Sequence, residues 1–170
     1  WIRKEYWPWE DIDKLKGFTG IEIYNHVVYR LSGSGLATDT WDHILSGGRL
    51  AWGFGSDDFH RWNDLAGAWN VILSPTKDHC DIRTSIDNGS FYVSTGLVLN
   101  ELNFEDNELY VHAQFANSYI KDLNYRFAGC KGEILDNQIG EKATYSFSGD
   151  ETYVRVEVRG ENGSMLWTQP

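Results

Sequence analysis

Hydrophobic and polar residues alternate along two segments in the second half of the chain. In 108–115 and in 153–159, every second residue is apolar and the residues between are polar or aromatic. A period of two is typical of antiparallel strands with one face in a core, so we predict two such strands, with Arg155 and Glu157 facing solvent. The Asn-Gly pair within 161–163 predicts a hairpin turn into a closing strand.

The first half has a different pattern, in which short apolar runs are separated by helical segments. Strands are predicted at 21–25, 50–54 and 68–73. Helices are predicted at 9–16, after Asp39 as an N-cap, and from Ser74-Pro75 to a stop at Asn88-Gly89. The sequence therefore predicts an α+β fold, with a mixed domain over 1–90 and an antiparallel, β-sandwich-like domain over 91–170.

The run Gly55-Ser56-Asp57-Asp58-Phe59-His60 follows the apolar run 50–54 directly. A loop at the end of a strand can direct a carboxylate and an imidazole toward the same cavity. These groups are oxygen and nitrogen ligands for a divalent metal. The alternative is a solvated loop in which Asp57 or Asp58 caps the next segment. Two ligands do not by themselves make a site.

Composition and charge narrow the classes of function. The chain has 170 residues, 41% of them hydrophobic, with a formal net charge of −10 at pH 7. This acidity argues against nucleic-acid binding, and no apolar run approaches the ~20 residues of a membrane span. We expect a soluble globular chain with no nucleic-acid or membrane partner, whose compartment the sequence does not reveal. Cys80 and Cys130 are interpreted as two separate small hydrophobic residues, although a disulfide between them stays open.

Taken in order, several segments resemble the C-terminal portion of the PHP family (polymerase and histidinol phosphatase) of metal-dependent phosphoesterases. The segments are Gly20-Ile21-Glu22-Ile23-Tyr24-Asn25, Trp41-Asp42-His43-Ile44-Leu45-Ser46-Gly47-Gly48, Trp52 to His60, Trp69-Asn70-Val71, and Asn88-Gly89 to Gly96. The ordered resemblance covers about residues 17–96, and the β segment that follows is similar to an appendage of some bacterial members.

This resemblance implies part of a distorted β/α barrel with a multinuclear metal site at its strand ends. The family's last metal motif, Asp-x-His, falls on Asp58 and His60 as ligands of Zn, Mn or Fe. Asp57 would be a hydrogen-bonding neighbour, and Asn25 would lie on the rim or serve as a turn residue bonded to its own backbone. Glu22 is interpreted as a strand residue facing a helix or solvent. The substrate would be a phosphorylated small molecule, and no catalytic residue is assigned.

The chain also departs from the family. No two of its five histidines are two residues apart, so the first family motif, His-x-His, is absent. The chain begins at Trp1 and not at Met, and together these features predict that the N-terminal half of the barrel is missing. His26, His43 and His79 are not expected to replace it. We therefore expect this chain alone to be an inactive fragment, with no metal bound or with a weakly held one, and to cover an open sheet edge by oligomerisation.

Two other functions remain open from the sequence. A carbohydrate-binding or protein-binding β module without catalysis would use the eight Trp and nine Tyr for stacking. Most Trp lie before residue 70, however, and this favours core packing over a glycan platform, also for the cluster of Trp1, Trp7 and Trp9. Alternatively, 97–170 is an interaction or scaffolding domain of a larger enzyme.

Overall fold

The computed structural model of the chain describes residues 8–116 and 122–170. Trp1 and Trp7 of the predicted aromatic cluster lie outside these residues. Within them the helices are α1 (Trp9–Ile12), α2 (His26–Ser32), α3 (Thr38–Ser46) and α4 (His79–Asp87). The strands are β1 (Gly20–Asn25), β2 (Trp52–Ser56), β3 (Trp69–Ile72), β4 (Phe91–Ser94), β5 (Leu97–Glu105), β6 (Glu108–Phe115), β7 (Leu123–Ala128), β8 (Ile134–Gly140), β9 (Lys142–Ser146), β10 (Arg155–Arg159) and β11 (Met165–Thr168).

These strands form three sheets and confirm the α+β class. β1 and β2 pair in parallel, whereas the six-stranded sheet, in the order β3-β4-β11-β10-β7-β8, and the three-stranded sheet β5-β6-β9 are antiparallel. β3 precedes residue 90 and β4 follows it, so the large sheet draws strands from both predicted domains. The boundary at residue 90 itself stays a prediction. None of the helices in the described ranges has the length and hydropathy that a membrane crossing requires.

The two antiparallel sheets enclose the larger hydrophobic core. Val111 and Ala113 of β6 contribute to it from the small sheet, and Tyr125 and Val156 contribute from the large sheet. The Tyr125 hydroxyl accepts a hydrogen bond from the Ala113 amide at 3.1 Å and donates to the carbonyl of Glu141 at 2.6 Å. A buried phenol therefore satisfies its polar end while its ring packs between the sheets.

The other face of the large sheet is covered as well, and this corrects one prediction. Arg155 and Glu157, predicted to face solvent, are buried because Trp41 and Trp167 belong to a second core on that face. Arg155 donates to Asp42 of α3 through Nε at 2.8 Å and through Nη2 at 2.6 Å. The period of two gave the strand correctly but could not reveal that both of its faces are covered.

The free edge of β2 is closed by side-chain amides. The side-chain oxygen of Asn70 accepts a hydrogen bond from the N–H of Gly55 at 3.0 Å, and the side-chain NH₂ of Asn70 donates to the carbonyl of Gly55 at 2.9 Å. Gln169 makes the same pair of bonds with Gly53, at 2.9 and 3.0 Å. The edge groups of two alternate residues are therefore satisfied without another strand.

Two helix starts differ from prediction. α3 begins at Thr38 after Ala37, so Asp39 is inside the helix and is not its cap. α4 begins at His79 with Asp78 as N-cap, and the predicted start at Ser74-Pro75 is wrong. The reason is that Leu73 still donates to the carbonyl of Ser90 at 2.9 Å, which keeps the chain extended beside β4. The predicted stop at Asn88-Gly89 is confirmed.

Candidate functional site

The carboxyl ends of β1 and β2 lie side by side, with Asn25 opposite Ser56 in the parallel register. Asn25 is the N-cap of α2: its Oδ1 accepts from the Val28 amide at 2.9 Å, and its Nδ2 donates to exposed Glu22 at 3.2 Å. Asn25 thus has a local capping role at the same sheet end at which the Asp-Asp-Phe-His loop begins. Loops at the carboxyl ends of parallel strands are common places for binding residues.

The loop after β2 has a strained and internally bonded backbone. Asp58 has a φ of 53°, in the left-handed region that non-glycine residues seldom adopt, and Ala66 at the far end has a φ of 59°. The Ser56 hydroxyl accepts from the Asp58 amide at 2.9 Å, and Asp57 Oδ2 accepts from the Ala66 amide at 3.2 Å. These bonds hold the turn and leave the carboxylate of Asp58 outside the backbone bonding.

The ring of His60 is oriented by the backbone of Asp58. His60 Nδ1 lies 2.5 Å from the carbonyl oxygen of Asp58, and it lies 3.6 Å from Oδ1 of the same residue. A carbonyl oxygen only accepts, so this hydrogen bond requires the proton on Nδ1. In the neutral ring, Nε2 then carries the free lone pair, as a metal-ligating imidazole requires. The side chains of His60 and Asp58 are 66% and 37% exposed, so both are accessible to a ligand.

A buried carboxylate that the sequence analysis missed lies under this loop. Asp64 Oδ2 accepts from the amides of His60 and Arg61 at 3.2 and 3.0 Å, and its Oδ1 accepts from Arg30 at 2.6 Å. Burial alone would raise the pKa of Asp64, but the two amide bonds and the Arg30 charge outweigh it and hold this pKa below its usual range. Its bonds to the His60 and Arg61 amides are local, whereas its charged partner Arg30 is 34 positions away.

An open cleft of about 410 Å³ lies between this loop and α2. One wall is apolar, formed by Val27, Val28 and Leu31 of α2. The polar side combines the two predicted ligands with the charged groups Arg30, Arg61 and Asp64. The cleft therefore offers an apolar surface next to a carboxylate, an imidazole and an exposed guanidinium.

The donor types at this site fit a divalent metal, but their number does not complete a coordination sphere. Asp58 offers a carboxylate oxygen and His60 an Nε2 lone pair. In the described ranges 8–116 and 122–170, no group of three or more His, Cys, Asp or Glu could hold a metal ion. Asp64 is not counted as a third ligand because its side chain is fully buried and already accepts from Arg30 and from two backbone amides.

The other histidines that were predicted not to complete the site lie away from the cleft. The ring of His26 lies against Gly67, where an added Cβ would come within 2.1 Å of it. His43 stacks on Trp9 with ring centroids 4.4 Å apart and bonds to Asp13 at 3.0 Å. His79 is the exposed first residue of α4. None of the three lines the cleft.

The remaining candidate groups lie elsewhere. Cys80 and Cys130 are separate free thiols, but both are exposed, so they do not pack as the small hydrophobic residues that the sequence predicted. Trp41 and Trp167 are fully buried, in agreement with core packing for these two. Trp62, next to the cleft, is by contrast 81% exposed.

Comparison with known proteins gave no match for this chain among protein-family profiles, curated proteins or solved structures.

Proposed function

We propose that this chain is a portion of a PHP-type metal-dependent phosphoesterase, in which Asp58 and His60 are two ligands of a divalent metal site. The observation that carries the proposal is the hydrogen bond from His60 Nδ1 to the Asp58 carbonyl, because it leaves the Nε2 lone pair available on a residue that lines the cleft. The parallel pair β1–β2 supports it, since its carboxyl ends are where the resemblance puts the site. On this proposal the parallel pair belongs to a distorted β/α barrel.

Each side of the cleft has a role in this proposal. A bound metal would supply an activated water and would polarise the phosphoryl oxygens. Arg61 on the rim offers a guanidinium to a phosphate oxygen, while Arg30 is engaged by Asp64. Val27, Val28 and Leu31 form a surface for the organic part of a phosphorylated small molecule.

The two ligands are too few for hydrolysis by this chain alone. Metal-activated water requires a closed ligand set with one open position, and two donors hold a divalent ion weakly. On this proposal the remaining ligands belong to the N-terminal half of the parent enzyme, whose motifs this sequence lacks. Turnover of an aryl phosphate by the purified chain that depends on added metal and disappears in His60→Gln would contradict this expectation.

The metal site itself can be tested without activity. We expect Mn²⁺ added to the purified chain to broaden the NMR resonances of Asp58 and His60 first, because a paramagnetic ion relaxes the nuclei nearest to it. Asp58→Asn and His60→Gln should each remove this effect. Asp106→Asn is a matched control, since Asp106 is also an acidic residue with a left-handed φ, 50°, in a turn. Broadening centred on Asp106, or broadening unchanged in both loop variants, would refute the site.

A second candidate function rests on Trp62. Its exposed ring lies edge-on to Phe59, with ring centroids 5.9 Å apart, on the same loop. Exposed aromatic faces stack on sugar rings, so a carbohydrate-binding role is the alternative. Titration with simple glycans should then change the Trp fluorescence of the chain but not that of Trp62→Ala. If no glycan changes the wild-type fluorescence, this alternative is wrong.

A further inference from the structure

Asp64 is the most completely bonded carboxylate near the cleft. Its side chain has no exposed surface, and it receives the amides of His60 and Arg61 together with the Arg30 guanidinium. Burying a carboxylate destabilises the fold unless its oxygens are hydrogen-bonded, and both oxygens of Asp64 accept hydrogen bonds. Asp64 therefore acts on the loop through the groups that it bonds.

We propose that Asp64 is a positioning residue that holds the loop carrying Asp58 and His60, the two proposed metal ligands. This inference rests on the proposed function and deepens it. Asp64 fixes the amide of His60, and His60 in turn directs Nδ1 to the carbonyl of Asp58. The protonation of Nδ1, and with it the free lone pair of Nε2, therefore depends on a residue that does not touch the metal.

Arg30 connects Asp64 to the helix that follows the neighbouring strand, β1. It lies on α2, which begins directly after β1, whereas Asp64 belongs to the segment after β2. The 2.6 Å contact between them therefore ties the structure after one parallel strand to the structure after the other. Asp57 and Ser56 close the loop at two further points, but neither of them bonds to His60.

The decisive variant is Asp64→Asn, which keeps the size of the side chain. An Asn amide has one acceptor oxygen, and its NH₂ group would face one of the present donors. In the metal-free chain we expect the ¹⁵N shifts of the His60 ring to change from a protonated Nδ1 to a mixture of tautomers. The Mn²⁺ concentration that half-broadens the His60 resonance should rise by about tenfold or more, as for other residues that orient metal ligands.

Asp42→Asn provides the matched control. Asp42 is also a buried aspartate bonded to an arginine, but it lies on α3 and does not line the cleft. The Asp42→Asn variant should lower the stability of the chain. It should leave unchanged the His60 tautomer and the Mn²⁺ concentration that half-broadens the His60 resonance. If Asp42→Asn alters both as strongly as Asp64→Asn does, the effect of Asp64 is general destabilisation and the proposal is wrong.

Arg30 variants keep the proposal testable if Asp64→Asn does not fold. Arg30→Met should move the tautomer balance and the Mn²⁺ concentration in the same direction, and Arg30→Lys should restore part of each. An unchanged tautomer in both Asp64→Asn and Arg30→Met would overturn the inference. A wild-type chain with protonated Nδ1 but no Mn²⁺ effect would refute the proposed function, while the metal-free tautomer comparison would still decide the role of Asp64.

Discussion

The buried pair of Asp42 and Arg155 gives the sharpest prediction about stability. Asp42 accepts from Nε and Nη2 of Arg155 and, at 2.9 Å, from the hydroxyl of Tyr153. Both charged side chains are nearly inaccessible, at 6% and 4% exposure, and Arg155 also lies over the ring of Trp41. Asp42→Asn would leave the guanidinium buried without its carboxylate and would place an NH₂ group against a donor.

The expected loss follows from this geometry. Removing one partner of a buried ion pair costs about 3–5 kcal/mol. Glu157 lies 3.8 Å from Nη1 of Arg155 and compensates for part of the charge, so we expect the lower end, about 3 kcal/mol. Urea unfolding measures this loss directly, as a lower midpoint at unchanged m-value.

A double variant separates the isolated charge from the loss of packing. Asp42→Leu combined with Arg155→Met removes both charges and fills a similar volume, which is often neutral or stabilising. We expect its free energy of unfolding to lie well above that of Asp42→Asn. The reasoning is refuted if Asp42→Asn costs less than about 1 kcal/mol, or if the double variant is as unstable as the single one.

Three further predictions follow from local contacts. The Tyr145 hydroxyl lowers the pKa of Glu151 to about 2. The difference in unfolding free energy between wild type and Glu151→Gln should therefore be constant above pH ~5 and should decline as the pH falls toward 2. A difference that does not change with pH would contradict this prediction. Gly55→Ala places a Cβ 2.3 Å from Cγ1 of buried Val93 and should cost about 1–3 kcal/mol by thermal unfolding, and Val93→Ala in the same chain should recover part of this. Asn70→Ala leaves the N–H and C=O of Gly55 without their amide partner, so the Gly55 amide should exchange faster with solvent, and an unchanged exchange rate would count against this role.

The parts of the fold that could be predicted from the sequence depend on neighbouring residues. The alternation of Val154, Val156 and Val158 placed these three side chains in the core, because strand geometry is local. The burial of Arg155 was not predictable in the same way, since it depends on Asp42, 113 positions away. Local capping rules favoured a helix start at Ser74, and the pairing of Leu73 with Ser90, which keeps the chain extended there, is a tertiary contact that those rules do not include.

The same distinction between local and long-range contacts applies to the candidate site. Asp58 and His60 were predicted together because both lie in one short loop after a strand, and the hydrogen bond between these two residues is local as well. The two amide bonds of Asp64 are local, but its pairing with Arg30 joins two elements and was not predictable from the residues around Asp64. The apolar wall of Val27 and Val28 is likewise a tertiary feature, since nothing in the sequence of α2 places it opposite the loop.

The two side-chain amides on the free edge of β2 also have a consequence for how this edge moves. Backbone groups paired with another strand become free only when that strand separates, which requires a cooperative opening. Gly53 and Gly55 are instead paired with Gln169 and Asn70, whose release requires rotation of single side chains. Side-chain rotation is faster than strand separation by orders of magnitude. The backbone groups of Gly53 and Gly55 on this edge can therefore become accessible and be hydrogen-bonded again while the rest of the fold stays intact.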